Sequence, residues 1–136
     1  LSLFVDTSCW YAAVDEDDRN HERAKVVLTT TEALVTTDHI LTETWTLLRY
    51  RIGRKQALAF WERLGSVATV EFVTAADVEV ARQIAGIWKD HDFSIVDCTS
   101  FAVMQRLGIR RAASFDADFA IFRFGPARRL AFEVVR

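Results

Sequence analysis

Short apolar runs alternate with stretches of helical periodicity along the chain. Five runs have the length and composition of buried strands: Leu3-Phe4-Val5, Ala33-Leu34-Val35, Val70 to Val73, Ala112 to Phe115 and Ala131 to Val135. Helical patterns fill the spaces between them. One opens near Arg19 and runs toward Thr30. A second starts after Asp38, carries Leu41, Trp45, Leu48 and Ile52 at helical spacing, and stops at Gly53. A third holds Leu58, Trp61 and Leu64 and stops at Gly65. A fourth follows Thr74 with Val78, Ala81, Ala85 and Trp88 on one face, and a fifth runs from Ser94 to Gly108.

Strands alternating with helices call for a parallel sheet covered on both faces, because right-handed crossovers put the helices there. The expected fold is therefore α/β, three layers around a central, mainly parallel five-stranded sheet. At 136 residues, with five Gly, one Pro and no repeat or linker, the chain reads as one domain over 1–136. In such folds the ligand site lies beyond the carboxyl ends of the strands, at the topological switch point.

Acidic residues fall where that rule looks. Asp6 ends the first apolar run and is followed by Thr7 and Ser8. Asp116 and Asp118 follow the fourth run, Glu43 lies one turn into the second long helix, and Asp97 lies in the first turn of the fifth. Each has a plainer role open to it. Asp97 can serve a capping box with Ser94, Asp6 an Asx turn with Ser8, Asp116 a helix cap, and Glu43 a solvated helix face. Their joint placement at one edge of the sheet is what points to chemistry. Two carboxylates about 4–5 Å apart repel by roughly 3–4 kcal/mol at an effective dielectric near 20. A cluster must therefore bind protons or cations. Hard oxygen donors without His or Cys suit Mg²⁺, with Mn²⁺ as a substitute, and Mg²⁺ supports attack of an activated water on phosphorus.

Composition narrows the setting. The hydrophobic share is 51%, with ten Phe and four Trp, which excludes a disordered chain. No apolar run has the length of a membrane span, and no secretory leader is expected, so a cytoplasmic protein is the expectation. Cys9 and Cys98 stand alone and read as reduced, buried thiols. The net charge of −2 conceals a gradient. Residues 1–48 hold three basic and nine acidic side chains (−6), and residues 49–98 hold seven of each. Residues 99–136 hold seven basic and three acidic (+4). Segregation of this kind can set a basic rim beside an acidic pocket.

The ordered set of fragments resembles the PIN-domain ribonucleases, and in particular the VapC-type toxins of bacterial toxin–antitoxin pairs. The carriers are Val5-Asp6-Thr7-Ser8, Asn20-His21-Glu22-Arg23-Ala24 and Leu41-Thr42-Glu43-Thr44, then Phe93 to Phe101 and Ser114 to Phe119. The resemblance covers essentially the whole chain. It implies a PIN-like fold and metal-dependent endoribonuclease activity leaving a 5′-phosphate and a 3′-hydroxyl. It also implies a homodimer and a cognate antitoxin whose tail blocks the active-site groove. By position, Asp6, Glu43, Asp97 and Asp116 match the family's acidic quartet, which would bind Mg²⁺. Thr7 or Ser8 matches a supporting hydroxyl, and Asp118 a position acidic in some members only.

Candidate RNA contacts are Arg49, Arg51, Arg54 and Lys55, with Arg106, Arg110, Arg111, Arg123, Arg128 and Arg129 later in the chain. Single-stranded loops are the expected target, because A-form grooves restrict access to the bases. His21, His39 and His91 are not spaced as ligands, and Trp10, Tyr11, Trp45 and Trp61 read mostly as core. Two rivals differ in chemistry. A phosphatase would use Asp116-Ala117-Asp118 as a nucleophilic pair, although Ala120 stands where a hydroxyl is expected. A non-catalytic RNA- or protein-binding module would have no use for four clustered negative charges.

Overall fold

The computed structural model describes every residue from Leu1 to Arg136. Strand β1 (Ser2–Val5) runs straight into helix α1 (Thr7–Val14), with α2 (His21–Leu28) after a turn. Strand β2 (Ala33–Thr37) passes directly into α3 (Asp38–Arg51), followed by α4 (Arg54–Val67) and β3 (Thr69–Glu71). Next come α5 (Ala75–Ile87), α6 (Ile95–Leu107) and β4 (Arg111–Ala113). The chain closes with α7 (Asp118–Ile121), β5 (Arg123–Phe124), a 3-10 turn at Pro126–Arg128, β6 (Leu130–Ala131) and β7 (Glu133–Val135).

The main sheet has the order β3-β2-β1-β4-β7, and all four pairings are parallel. Helices flank it in the three-layer arrangement expected from the alternation. β1 is the central strand, and Leu3, Phe4 and Val5 are fully buried. The chain leaves β1 toward β2 on one side and returns to β4 on the other, so the switch point lies between β1 and β4.

Several boundaries depart from the sequence reading, each for a physical reason. Helix α1 is absent from that reading because Thr7, Cys9, Trp10, Tyr11 and Ala12 are all buried, which erases the amphipathic period. Its place is fixed by a buried relay in which Trp10 Nε1 donates to Thr36 Oγ1 at 3.2 Å and Thr36 Oγ1 donates to Val5 O at 3.0 Å. Helix α4 does not stop at Gly65 but continues to Val67. Its buried face is Ala57, Phe60 and Leu64, and Leu58 and Trp61 face outward. Trp10 and Tyr11 are core as expected, whereas Trp61 is 54% exposed. In α5 the inward residues are Asp77, Ala81 and Ile84, not Val78 and Ala85. The expected strand Ala131 to Val135 is split at Phe132, which turns into the core. Leu130–Ala131 pair antiparallel with β5, and Glu133–Val135 pair parallel with β4. The expected strands at 70–73 and 112–115 shift to 69–71 and 111–113, freeing Ser114 for the site described below.

Two chain reversals demand glycine. Gly108 caps α6 in the left-handed region at φ 68°, and Gly125 has φ 73° with room for no side chain, since a Cβ would lie 2.7 Å from Leu130 Cδ1. Between α5 and α6, buried Asp77 has two duties. It completes a capping box with Thr74 and accepts from Arg106 Nε at 2.9 Å and Nη2 at 3.0 Å. Asp77→Ala removes the cap partner and leaves Arg106 unpaired. The expected cost is about 2–4 kcal/mol, read as a lower urea midpoint with an unchanged slope.

Candidate active site

Three strand-to-helix junctions and one helix cap aim acidic side chains at the crevice between β1 and β4. Because α1 follows β1 without a loop, Asp6 becomes the N-cap of α1, and its amide is held by Ala113 O at 3.0 Å. The carboxylate is pinned through one oxygen. Asp6 Oδ2 accepts from Ser8 Oγ and Ser114 Oγ, each at 3.0 Å, and from Ser8 N at 3.4 Å. Oδ1 takes none of these three bonds, and the carboxylate lines the cleft. Asp97 follows the same design. Its Oδ2 accepts from Ser94 N at 3.0 Å while Ser94 Oγ accepts from Asp97 N, a full capping box. The plainer roles considered for Asp6 and Asp97 are thus real, and both residues still line the cleft.

Asp116 follows β4 on an exposed turn, where its amide donates to Ser114 Oγ at 3.1 Å and its Oδ1 accepts from Asp118 N at 3.3 Å. Glu43 lies in the second turn of α3, whose start is fixed at the end of β2 by the Thr37 cap. A cleft of about 690 Å³ gathers Asp6, Thr7, Ser8, Glu43, Asp97, Asp116 and Asp118. Within it, Asp97, Asp116 and Asp118 each bring a carboxylate oxygen within 4.8 Å of the other two. The tightest cluster therefore includes Asp118, the residue whose role the sequence left most open, while Asp6 and Glu43 stand around it.

No ion pair neutralises any of these five acids; the six ion pairs of the chain all lie elsewhere. Thr7 Oγ1 is buried, lines the cleft and has no hydrogen-bond partner. An orphaned hydroxyl beside uncompensated hard oxygens fits a hydrated divalent cation and offers nothing to a soft metal.

Sequence reasoning missed several contributors. Ser114 bridges Asp6 and Ser8 (Oγ to Oγ 3.2 Å); the only hint is a small hydroxyl residue at the end of an apolar strand. Tyr11, Asp18, Arg19, Asn20 and Asp92 also line the cleft. Among the expected RNA contacts, Arg51 lines the cleft and rests over the Tyr11 ring at 5.2 Å. Arg49, Arg54 and Lys55 are exposed but outside its lining. Arg111 is corrected. It sits at the amino end of β4, opposite the cleft, and its guanidinium is held by Glu32 and Glu133. Arg106 is likewise held by Asp77, and Arg123 caps α7 through the Ala120, Ile121 and Phe122 carbonyls. Arg110 lies over the Phe124 ring. His39 Nδ1 lies 3.3 Å from Thr99 Oγ1, a structural contact outside the cleft.

The crowding shows in the proton affinities. Burial pushes the Asp6 carboxyl up to about 6 against the opposing hydrogen bonds from Ser114 and Ser8. Burial, then the neighbouring Asp118 and Asp6 charges, push Asp97 up to about 8, and Asp118 is also raised by burial and by Asp116. Raised carboxyl affinities mean that the folded chain holds protons the unfolded chain has released. Without metal, the stability these two groups contribute is therefore full below about pH 4 and is lost as pH rises through about 6 and then 8. Asp6 alone contributes about 3 kcal/mol to that fall. Urea titrations in chelator between pH 4 and 9 are expected to show this slope, reduced in Asp97→Asn.

Similarity to characterised proteins covers most of the chain. The PIN domain family model matches residues 3–125. The 23S rRNA-specific endonuclease VapC20 of Mycobacterium tuberculosis is 41% identical over 128 residues, covering 93% of this chain and 98% of that protein. Its crystal structure, described as a sarcin-ricin loop cleaving toxin, superposes with a TM-score of 0.81 over 85% of this chain and 91% of that one. VapBC2 of Rickettsia felis, solved on a promoter DNA fragment, shares the fold at 9% identity, with a TM-score of 0.65 over 86% and 89% of the two chains. With its sheet order, its acidic crevice and this match over most of its length, the chain belongs to the PIN domain family.

Proposed function

We propose that this chain is a Mg²⁺-dependent endoribonuclease and the toxin of a toxin–antitoxin pair. One observation carries the catalytic part: Asp97, Asp116 and Asp118 converge, with Asp6 and Glu43 lining the same cleft, and no ion pair neutralises them. Asp6, Glu43, Asp97 and Asp116 would hold Mg²⁺, or Mn²⁺ in its place, with Asp118 beside them and Thr7 and Ser8 in support. The ion supplies Lewis-acid polarisation of the phosphoryl oxygens and a more acidic water.

The chain's own residues supply orientation and charge. Ser8 and Ser114 fix the rotamer of Asp6, and the Ser94 cap fixes Asp97, so both carboxylates meet their ligand preorganised. Arg19 and Arg51 are the two cationic groups of the cleft, and neither is consumed by an ion pair. They can therefore take the phosphates flanking the scissile bond, with Arg51 steadied by Tyr11. The likeness to VapC20 supports RNA as the substrate, ribosomal RNA in particular. The VapBC complexes among its structural neighbours support an antitoxin partner; a homodimer and a cytoplasmic setting are part of the same proposal and follow the family resemblance. No helix is long and apolar enough to cross a membrane.

Mapping of new 5′ ends in RNA is expected to show discrete, Mg²⁺-dependent cleavage by the wild-type chain. Asp97→Asn and Glu43→Gln should lower it by at least a hundredfold, with Asp97→Asn melting no earlier than wild type in chelator. Undiminished cutting by Asp97→Asn would remove the carboxylates from the mechanism. Millimolar Mg²⁺ should raise the wild-type melting temperature at pH 8 and leave Asp97→Asn nearly unmoved. Light scattering at micromolar concentration should give twice the 15.5 kDa chain mass; a monomer would contradict the dimer.

A further inference from the structure

Beside the acidic cleft lies a surface of different character. The segment joining α5 to α6 contributes Asp92 and Ser94 to the cleft lining. The residues alternating with them are aromatic. The His91 and Phe93 rings stack 5.5 Å apart with 21° between their planes, and Trp88 meets His91 edge-on at 5.2 Å. Phe93 is anchored in turn edge-on to Phe101 at 5.2 Å, in the core. His91 itself is exposed. An imidazole ring is thus held from within by a rigid aromatic base while presenting itself to solvent.

A cation completes the surface. The Arg128 guanidinium lies 5.9 Å from the centre of the Trp88 ring and pairs with no carboxylate. Its backbone is strained to place it there. Ala127 and Arg128 have φ of 55° and 51°, in the left-handed region that residues with a Cβ avoid. Such strain persists where the surroundings impose it, and it concentrates at ligand-binding positions. The cleft, by contrast, is lined by seven carboxylates and two arginines, so a polyanion crossing it gains from further favourable contacts outside.

We infer that Trp88, His91, Phe93 and Arg128 form a stacking platform that takes one unstacked nucleobase of single-stranded RNA beside the cleft. Aromatic faces and a guanidinium plane are the groups that bind splayed bases, and the platform carries a positive charge where the adjoining cleft is negative. An apolar protein helix would meet a polar imidazole and a guanidinium here, which favours a base over a docking peptide. The inference rests on the endoribonuclease reading for its ligand, but not on the metal or the acidic residues.

The test uses a synthetic RNA hairpin with a purine-rich single-stranded loop, carrying fluorescent 2-aminopurine in place of each loop purine in turn. The full chain is compared with His91→Ala, His91→Phe and Arg128→Ala. At one loop position, wild type and His91→Phe should quench the fluorescence, His91→Ala should not, and His91→Ala should bind about tenfold more weakly. Removing that base from the RNA should slow wild-type cleavage about tenfold and leave His91→Ala cleavage unaltered. Equal quenching by wild type and His91→Ala at every position overturns the platform. So does a loss of self-association by His91→Ala in sedimentation with RNA binding unchanged, because the surface would then join two copies. Quenching that depends on His91 without any cleavage would defeat the endoribonuclease reading and leave the platform standing.

Discussion

Burial of carboxylates in one shared crevice governs this structure. Five acidic side chains share one crevice without a single ion pair, and two further acids line it against only two arginines. Such an arrangement costs stability until something positive enters it. The fold bears that cost by tying each key carboxylate down through one oxygen. Hydroxyls from Ser8 and Ser114 hold Asp6, and the Ser94 cap holds Asp97. Both carboxylates still line the cleft. The same hydrogen bonds that would normally lower a carboxyl's proton affinity are outweighed here by burial, which is the electrostatic mark of a site incomplete on its own.

The parallel sheet makes this concentration of charge possible. All five strands run one way, so the strand ends that launch helices lie along one edge. At β1 and β2 no loop intervenes before the helix, which makes the residue at each junction, Asp6 or Thr37, a cap. Asp6 inherits both a place in the core and a backbone amide bonded to β4. The central strand and the first catalytic candidate are therefore one rigid piece. Elsewhere the fold pairs its charges conventionally. Asp77 with Arg106, and Arg111 with Glu32 and Glu133, tie neighbouring elements together far from the cleft. The contrast separates acids that stabilise the domain from acids that await a partner.

Around the cleft the charge gradient of the sequence acquires a location only in part. Of the carboxyl-terminal arginines, three are spent on caps or ion pairs, whereas Arg110 and Arg128 lie over aromatic rings. Of these two, Arg128 lies over Trp88, whose ring meets His91 in the segment that also carries Asp92 and Ser94 of the cleft lining. A nuclease that must attract RNA to an acidic centre gains from such a division, with stacking and cations outside and metal-binding oxygens within.

Much of this was determined by local sequence. Strand-to-helix alternation fixed the layer architecture, the Ser94 and Thr74 boxes and Gly108 fixed helix ends, and the spacing of Asp6, Glu43, Asp97 and Asp116 marked one sheet edge. Those signals are legible because caps, turns and buried strands each need particular residues at particular offsets. Tertiary structure decided the rest. Helix α1 is buried on most sides and has no period to read, and Phe132 splits one apolar run between two sheets. Whether Arg111 meets RNA or Glu32 depends on a residue 79 positions away. Ser114 becomes part of the site only because its hydroxyl faces Asp6 across 108 residues. Contacts of that kind are set by packing of the whole chain, and no local pattern encodes them.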